Sequence, residues 1–457
     1  MTTQTEHMKT DETRSPLADA GADAGPGIAY LSSKYPAISH TFILREVLGL
    51  RALGMRIEAC SINQPDRSFD KLTPDEREEA ERTFFLKGPG LMRQHVVTLL
   101  RVLVTRPDVI FRGISAMLSY GGWDLKARAK TPFYLAEAIL IGEWMRRRKL
   151  DHLHSHFAGA VAVVAMFMAA AYRKTFSFTV HGPDEYMDMR YLHMKHKSDA
   201  AKFVITISEF GRTHLLRVLG MAKRHHVTTV RLGVNVRDFQ PALKIAERGA
   251  PVHMVCVGRL VRDKAQDVLL EALAILLHRG MNVRLTLVGD GAAARQFKQV
   301  AADFELQDHV TFTGPLPQPE TRAILRTADL FVLPSFAEGI PVALMEAMAM
   351  EIPCVSTTVM GIPELIESGK DGILVPPGNV DELAAALETL IADPALRQKI
   401  GKAGRFKVAE QFNLDINVPK LQRAFMRHLA HSLAPQASAT QASEASVTVV
   451  ANKVPAA

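Results

Sequence analysis

Short apolar runs alternate with helix-length segments along most of this 457-residue chain, and they fall into two series. The first comprises 28–31, 56–62, 151–154, 175–180 and 203–207. The second comprises 252–257, 283–288, 310–313, 330–333 and 354–356. Strands separated by helices cannot pair as hairpins. They join through crossovers, which predicts an α/β architecture with parallel sheets. A helix is expected over 41–53, stopped by Gly54, and residues 91–149 read as largely helical. The polar stretch 240–250, with Pro241 and Gly249, separates the series, and a chain of this length needs more than one core. Residues 1–25 and 434–457 lack apolar periodicity and are expected to be disordered, although 446–450 is mildly strand-like.

Composition narrows the class further. Cys60, Cys256 and Cys354 are far apart and sit in apolar runs, which excludes a disulfide framework and suits a reducing compartment. No basic segment followed by an apolar one opens the sequence. The apolar run 158–172 is shorter than the ~20 residues a membrane-spanning helix needs. A cytoplasmic protein, soluble or peripheral on the inner membrane face, is expected. The net charge of +7 is unevenly spread: residues 26–240 carry 32 Lys and Arg against 20 Asp and Glu. Arg93, Arg101, Arg106 and Arg112 stand among apolar residues, and 146–149 is a basic cluster. This pattern suits either a solvated helix face or an anionic membrane surface. Aromatic residues are only 7% and no recognition module is present, so nucleic acid is not an expected partner.

The segment with most chemical content is Ser335-Phe-Ala-Glu338-Gly-Ile-Pro-Val-Ala-Leu-Met-Glu346. An apolar strand enters a short loop carrying Glu338. Pro341 suits the first turn of a helix, where its missing N–H costs nothing, and Glu346 lies further along that helix. Free N–H groups at a helix start attract phosphates, while carboxylates accept hydrogen bonds from hydroxyls. Together they describe a receptor for a sugar joined to a nucleotide by a diphosphate. The alternative is a buried strand–loop–helix with two incidental acids.

Other motifs end apolar strands. Gly258-Arg259-Leu-Val-Arg-Asp-Lys264 offers a tight turn and two cations suited to phosphate oxygens. Thr179-Val-His181-Gly182 closes a strand where open α/β sheets bind ligands, with Asp184 and Glu185 just beyond as groups that could orient an acceptor. His152, His154 and His156 would share one face of a strand, a row able to hold zinc in a metal-dependent hydrolase. Gly289-Asp-Gly291-Ala-Ala-Ala294 matches a dinucleotide-binding pattern, but no ribose-binding acid ends a following strand.

The paired glutamates, the Gly-Arg-Leu followed by Lys, the His-Gly pair and the Gly-Asp-Gly turn together resemble the retaining GT-B glycosyltransferases of family 4 (group 1). The resemblance covers about residues 27–430. Tyr35-Pro-Ala-Ile-Ser39-His40-Thr-Phe is similar to the exopolysaccharide, colanic-acid-type subgroup, whose pattern has Glu where this chain has His40. The resemblance implies two facing Rossmann-like domains: an acceptor domain over 27–240 and a nucleotide-sugar domain over 241–412. Tails at 1–26 and 434–457 would flank them, and a helix over 413–433 would return to the first domain. It further implies that Arg259 and Lys264 bind the donor diphosphate, that Glu338 contacts the sugar and that Glu346 contacts the ribose. Gly258, Gly339, Ile340, Gly289 and Gly291 would line the donor pocket, and His181 would lie at the reacting centre. His156, Ser39, His40 and Asp184 are candidates for the cleft or acceptor side. A UDP- or GDP-sugar donor, a glycan or polyprenyl-linked acceptor, and neither cofactor nor metal are expected. A nucleotide-sugar epimerase or hydrolase, or a non-catalytic binder, would use the same pocket.

Overall fold

The computed structural model describes residues 25–120, 128–189, 193–242 and 249–430. Residues 1–24, 243–248 at the expected boundary, 431–433 and the expected tail 434–457 lie outside them.

The strands form two sheets. The first holds β1 (Ile28–Lys34), β2 (Ile57–Asn63), β3 (Phe84–Phe85), β4 (His152–His156), β5 (Thr175–Val180), β6 (Phe203–Thr206) and β7 (Val227–Thr229), in the order β3-β2-β1-β4-β5-β6-β7. The second holds β8 (Val252–Val257), β9 (Val283–Val288), β10 (Val310–Gly314), β11 (Leu330–Leu333), β12 (Cys354–Thr357) and β13 (Ile373–Val375), in the order β10-β9-β8-β11-β12-β13. Neighbouring strands pair in parallel, as in the ladder from Val252 opposite Val283 to Val257 opposite Val288. Strands covered on both faces need side chains that pack on both, and runs such as Val-His-Met-Val-Cys-Val supply them. This is the two-domain Rossmann-like architecture of the GT-B fold.

The period of two along a strand gives the first sheet two cores. Ala29, Leu31, Leu153, Phe176 and Phe178 face one way, onto the helices Thr131–Arg147 and Ala160–Tyr172. Ile28, Tyr30, Phe203 and Ile205 face the other and join an apolar cluster continuous with the second domain's core.

Helix α1 (Thr41–Ala52) covers this second face. It stops in a Schellman turn: Met55 N–H bonds the Leu50 carbonyl, Gly54 N–H bonds that of Arg51, and Gly54 takes φ +81°. Helix Leu414–Ala430 leaves the second domain and lies against α1. A Cβ at Gly49 would come 3.0 Å from Val418 Cγ1, so the two helices touch where one has no side chain. Phe425, fully buried, packs on Tyr30 at 6.1 Å, His154 at 5.1 Å and Phe203 at 5.7 Å between ring centroids. Phe425→Ala is expected to destabilise the protein by about 3–5 kcal/mol, read from chemical denaturation.

Candidate active site

Because every ladder is parallel, the loops that follow the strands gather at one edge of each sheet, and these edges meet across a cleft of about 840 Å³. His181 follows β5, Gly258 and Arg259 follow β8, Gly289 and Asp290 follow β9, and Glu338 follows β11. All of them line the cleft, together with His40, Asp184, Lys264, Gly339, Ile340 and Glu346. Residues separated by more than 150 positions therefore share one cavity wall to wall.

The backbones of the two walls come closest at Gly339. A Cβ on Gly339 would lie 2.0 Å from the His181 carbonyl oxygen, so only glycine allows this approach between the domains. Gly289, at φ +140°, lies equally close to the Gly258 carbonyl: a Cβ would fall 1.9 Å from its oxygen. Gly291 takes no part in the cleft lining. Its place is set by packing against the Leu260 carbonyl, 2.4 Å from where a Cβ would stand.

Both glutamates are buried to within 7% of full coverage, and both are paired. Glu338 accepts from Lys264 Nζ and from Ser335 Oγ at 2.9 Å. Glu346 accepts from Arg45 Nη2 at 2.8 Å and from Gln318 Nε2 at 3.0 Å. Arg45 belongs to α1, so the Glu346 contact bridges the domains. Arg259 has no carboxylate partner among the described residues and is exposed to the cleft. Helix Val342–Ala349 starts one residue later than its sequence suggests: Pro341 is the N-cap, with ψ 123°, rather than the first helical residue.

A second bridge joins the domains nearby. The Glu364 carboxylate accepts from the N–H groups of Glu209 and Phe210, at 3.1 and 2.8 Å, where helix Glu209–Leu219 begins. Arg231 Nη2 is 3.3 Å from the same carboxylate.

His156 departs from expectation. It does not face the cleft but lies fully buried behind His181, its Nδ1 2.9 Å from His181 Nε2. The strand register explains this: His156 pairs opposite Thr179, two residues before His181, so the longer β5 reaches the cleft first. His181 is 6% exposed, and burial with His156 and His40 nearby holds it well below the ordinary imidazole range. Burial, His156 and Arg259 lower His40 to about 4. The backbone at Ser39 belongs to a short turn, Ile38–His40, ahead of α1.

The rest of the histidine row is occupied by hydroxyls. His152 meets Thr175 Oγ1 at 2.8 Å and Ser177 Oγ at 2.7 Å, while His154 meets Ser177 Oγ at 2.8 Å and Thr179 Oγ1 at 3.0 Å. Each nitrogen of these two rings thus has a hydroxyl within hydrogen-bond distance, while Glu46, His154 and His156 place one potential ligand atom each within 4.8 Å of one another. Glu185 is also structural. Its carboxylate accepts from the N–H groups of Ala158, His181 and Gly182, and thereby fixes the His181 loop. Burial nonetheless pushes it up to about 7, with those three donors and Lys197 opposing.

Sequence reading misses Arg45, Gln318 and Glu364. Each is an ordinary polar residue on a helix, and nothing local reveals that Arg45 and Glu364 reach across to the other domain or that Gln318 reaches Glu346.

Two Rossmann-like domains closing on a cleft walled by paired carboxylates, cations and strand-end glycines define a GT-B glycosyltransferase. Comparison with known proteins agrees. Residues 243–407 match the family described as glycosyl transferases group 1, and residues 119–238 match glycosyltransferase family 4. The two matches fall one on each domain, and both describe glycosyltransferases. It is 28% identical over 412 residues to the amylovoran biosynthesis glycosyltransferase AmsK of Erwinia amylovora, covering 88% of this chain and 99% of that one. It is also 28% identical over 406 residues to WcaL of Escherichia coli K12, provisionally a colanic acid biosynthesis glycosyltransferase, covering 85% and 97%. Among solved structures, Anabaena HepE in complex with UDP-glucose superposes with a TM-score of 0.66 at 17% identity, covering 88% of this chain and all of that one.

Burial holds His152 down at about 3. An unfolded chain would protonate this ring below about pH 6.5 while the folded one would not. Its contribution is therefore complete above that pH and is lost as pH falls towards 3, by up to about 1.4 kcal/mol per pH unit. Thermal denaturation from pH 7 to 4 is expected to show a shallower acid slope for His152→Gln than for the unaltered protein.

Proposed function

We propose that the protein transfers a sugar, with retention at the anomeric carbon and without a metal, from a UDP- or GDP-sugar to a glycan acceptor carried on a polyprenyl lipid, during exopolysaccharide assembly. The observation that carries this reading is the convergence of Arg259, Lys264, Glu338 and Glu346 on one cleft wall, opposite His181 on the other. The pathway rests on AmsK and WcaL, which match over nearly their whole length.

Arg259 and Lys264 lie where a departing diphosphate needs positive charge. Such preorganised charge stabilises the transition state more than the ground state. Glu338 orients the hydroxyls of the transferred sugar, and Glu346 binds the ribose. Gly339 and Ile340 bring backbone to the sugar and diphosphate. Binding is then an exchange: the ribose replaces Arg45 and Gln318 on Glu346, and the sugar shares Glu338 with Lys264. His181 steadies charge at the reacting centre. Asp184 and His40, on the first domain's side, face the acceptor.

Calorimetry across UDP- and GDP-sugars should give one donor that binds and is transferred, with the product keeping the donor's anomeric configuration by NMR. Glu338→Ala is expected to reduce transfer by roughly 10²–10³-fold, the size of losing one preorganised polar contact. Undiminished transfer by Glu338→Ala would sink this reading. Sugar release without acceptor would favour a hydrolase.

A peripheral membrane location is part of the proposal. No described helix is long and apolar enough to cross a bilayer. The helices Leu91–Thr105 and Pro107–Ser119 nevertheless expose Met92, Val97, Leu100, Val104, Phe111 and Leu118, with Arg93 and Arg101 exposed among them. Apolar side chains interspersed with arginine suit an anionic lipid surface. Flotation with phosphatidylcholine vesicles is expected to recover the protein several-fold better when phosphatidylglycerol is included. The double variant Leu100→Glu, Val104→Glu should lose that gain, and its retention would overturn the membrane reading.

A further inference from the structure

Behind His181 runs a line of buried polar groups drawn from four elements. His181 Nε2 is 2.9 Å from Nδ1 of His156, at the end of β4. His156 Nε2 is 3.4 Å from Glu46 Oε1 on α1. That oxygen also accepts the Tyr30 hydroxyl proton, at 2.7 Å, from β1. Tyr30, Glu46, His156 and His181 are each at least nine-tenths buried. His156 Nε2 and His181 Nδ1 are buried atoms that make no hydrogen bond among the described residues, so the Glu46 carboxylate acts on His156 by charge at 3.4 Å, and His181 lines the cleft.

The Glu46 carboxylate beside His156 favours one arrangement of neutral rings along this line. An ionised carboxylate only accepts. A His156 ring with its lone pair on Nε2 would set that pair against Glu46 Oε1, so the proton belongs on Nε2. Its Nδ1 is then an acceptor and requires a hydrogen on His181 Nε2. The last nitrogen, His181 Nδ1, is left as a bare acceptor. Burial, with His156 and His40 close by, keeps His181 uncharged and so preserves this order. The contribution of α1 matters because Glu46 neighbours Arg45, which holds Glu346 across the cleft. One turn of α1 thus reaches both the donor-side carboxylate and the histidine line.

We propose that Glu46 and His156 are positioning residues for transfer: through the chain Glu46–His156–His181 they fix the His181 ring in its Nε2–H form, so that Nδ1 accepts a hydrogen bond from a sugar hydroxyl in the cleft. Neither residue touches substrate. Both act by deciding which His181 nitrogen bears the proton, and a ring locked before binding spends nothing on reorientation when the sugar arrives. The inference rests on His181 standing at the reacting centre.

The ring state is read directly by ¹⁵N–¹H correlation spectra of the full chain labelled at histidine, with His181 assigned by the signal missing in His181→Asn. The unaltered protein is expected to show Nε2 protonated and Nδ1 bare near pH 7. Glu46→Gln, whose amide can donate or accept, should give a mixture of the two forms. It should also lower kcat roughly tenfold, about 1.4 kcal/mol of transition-state stabilisation, while the donor KM stays within about twofold. Glu46→Asp should recover part of the rate. A His181 ring protonated on Nδ1 in the unaltered protein overturns the proposal without any variant having to fold, as does an undiminished kcat in folded Glu46→Gln. Transfer that survives His181→Asn instead removes His181 from the reacting centre, whatever its ring form.

Discussion

The His181 carbonyl and the Gly339 backbone meet with no room for a side chain between them, and the cleft takes its shape from that approach. Two independent parallel sheets would otherwise be free to face each other at any separation. Here the strand-end loop of one sheet rests on the helix-leading loop of the other. The Arg45–Glu346 and Glu364–Arg231 contacts lie on the same seam and hold the orientation. The partly exposed Glu364–Arg231 pair is of a kind worth about 1 kcal/mol or less. The seam is therefore defined sterically by a glycine and only trimmed by charge, which suits domains that must admit a large substrate.

Charge within the cleft is largely neutralised in place. Lys264 faces Glu338, and Arg45 faces Glu346, so neither carboxylate is buried without a counter-charge, a situation that would cost several kcal/mol. Among the described cleft residues, Arg259 is the cation without a carboxylate partner. In the proposed binding mode a ligand supplies hydroxyls where it displaces cations and phosphates where it meets Arg259, as a sugar nucleotide would.

Much of this was legible in the sequence, and the exceptions have physical causes. The strands 175–180, 252–257, 283–288 and 330–333 coincide with their apolar runs, because strands largely covered on both faces are predominantly apolar. The strands β3, β7 and β13 span two or three residues and carry no period to detect. Glu338, Lys264 and Arg259 could be picked out because each follows a strand whose end is recognisable. His156 was misplaced because alternation reveals which face a residue occupies, but not how far the neighbouring strand extends past it. Arg45 and Glu46 were invisible for a related reason: a helix pattern separates buried from exposed positions and says nothing about partners a hundred or more residues away.

The helix Leu414–Ala430 completes the face of the first sheet that β1 begins, with Phe425 resting on Tyr30. The ribosome delivers these two residues nearly four hundred positions apart. While the second domain is being synthesised, the first has a sheet and α1 but lacks the side chains that close one of its two cores. The second domain suffers no such delay, since its strands and their covering helices arrive together. Synthesis order and folding order are therefore crossed: the domain made first keeps an apolar face uncovered until the helix Leu414–Ala430 leaves the ribosome.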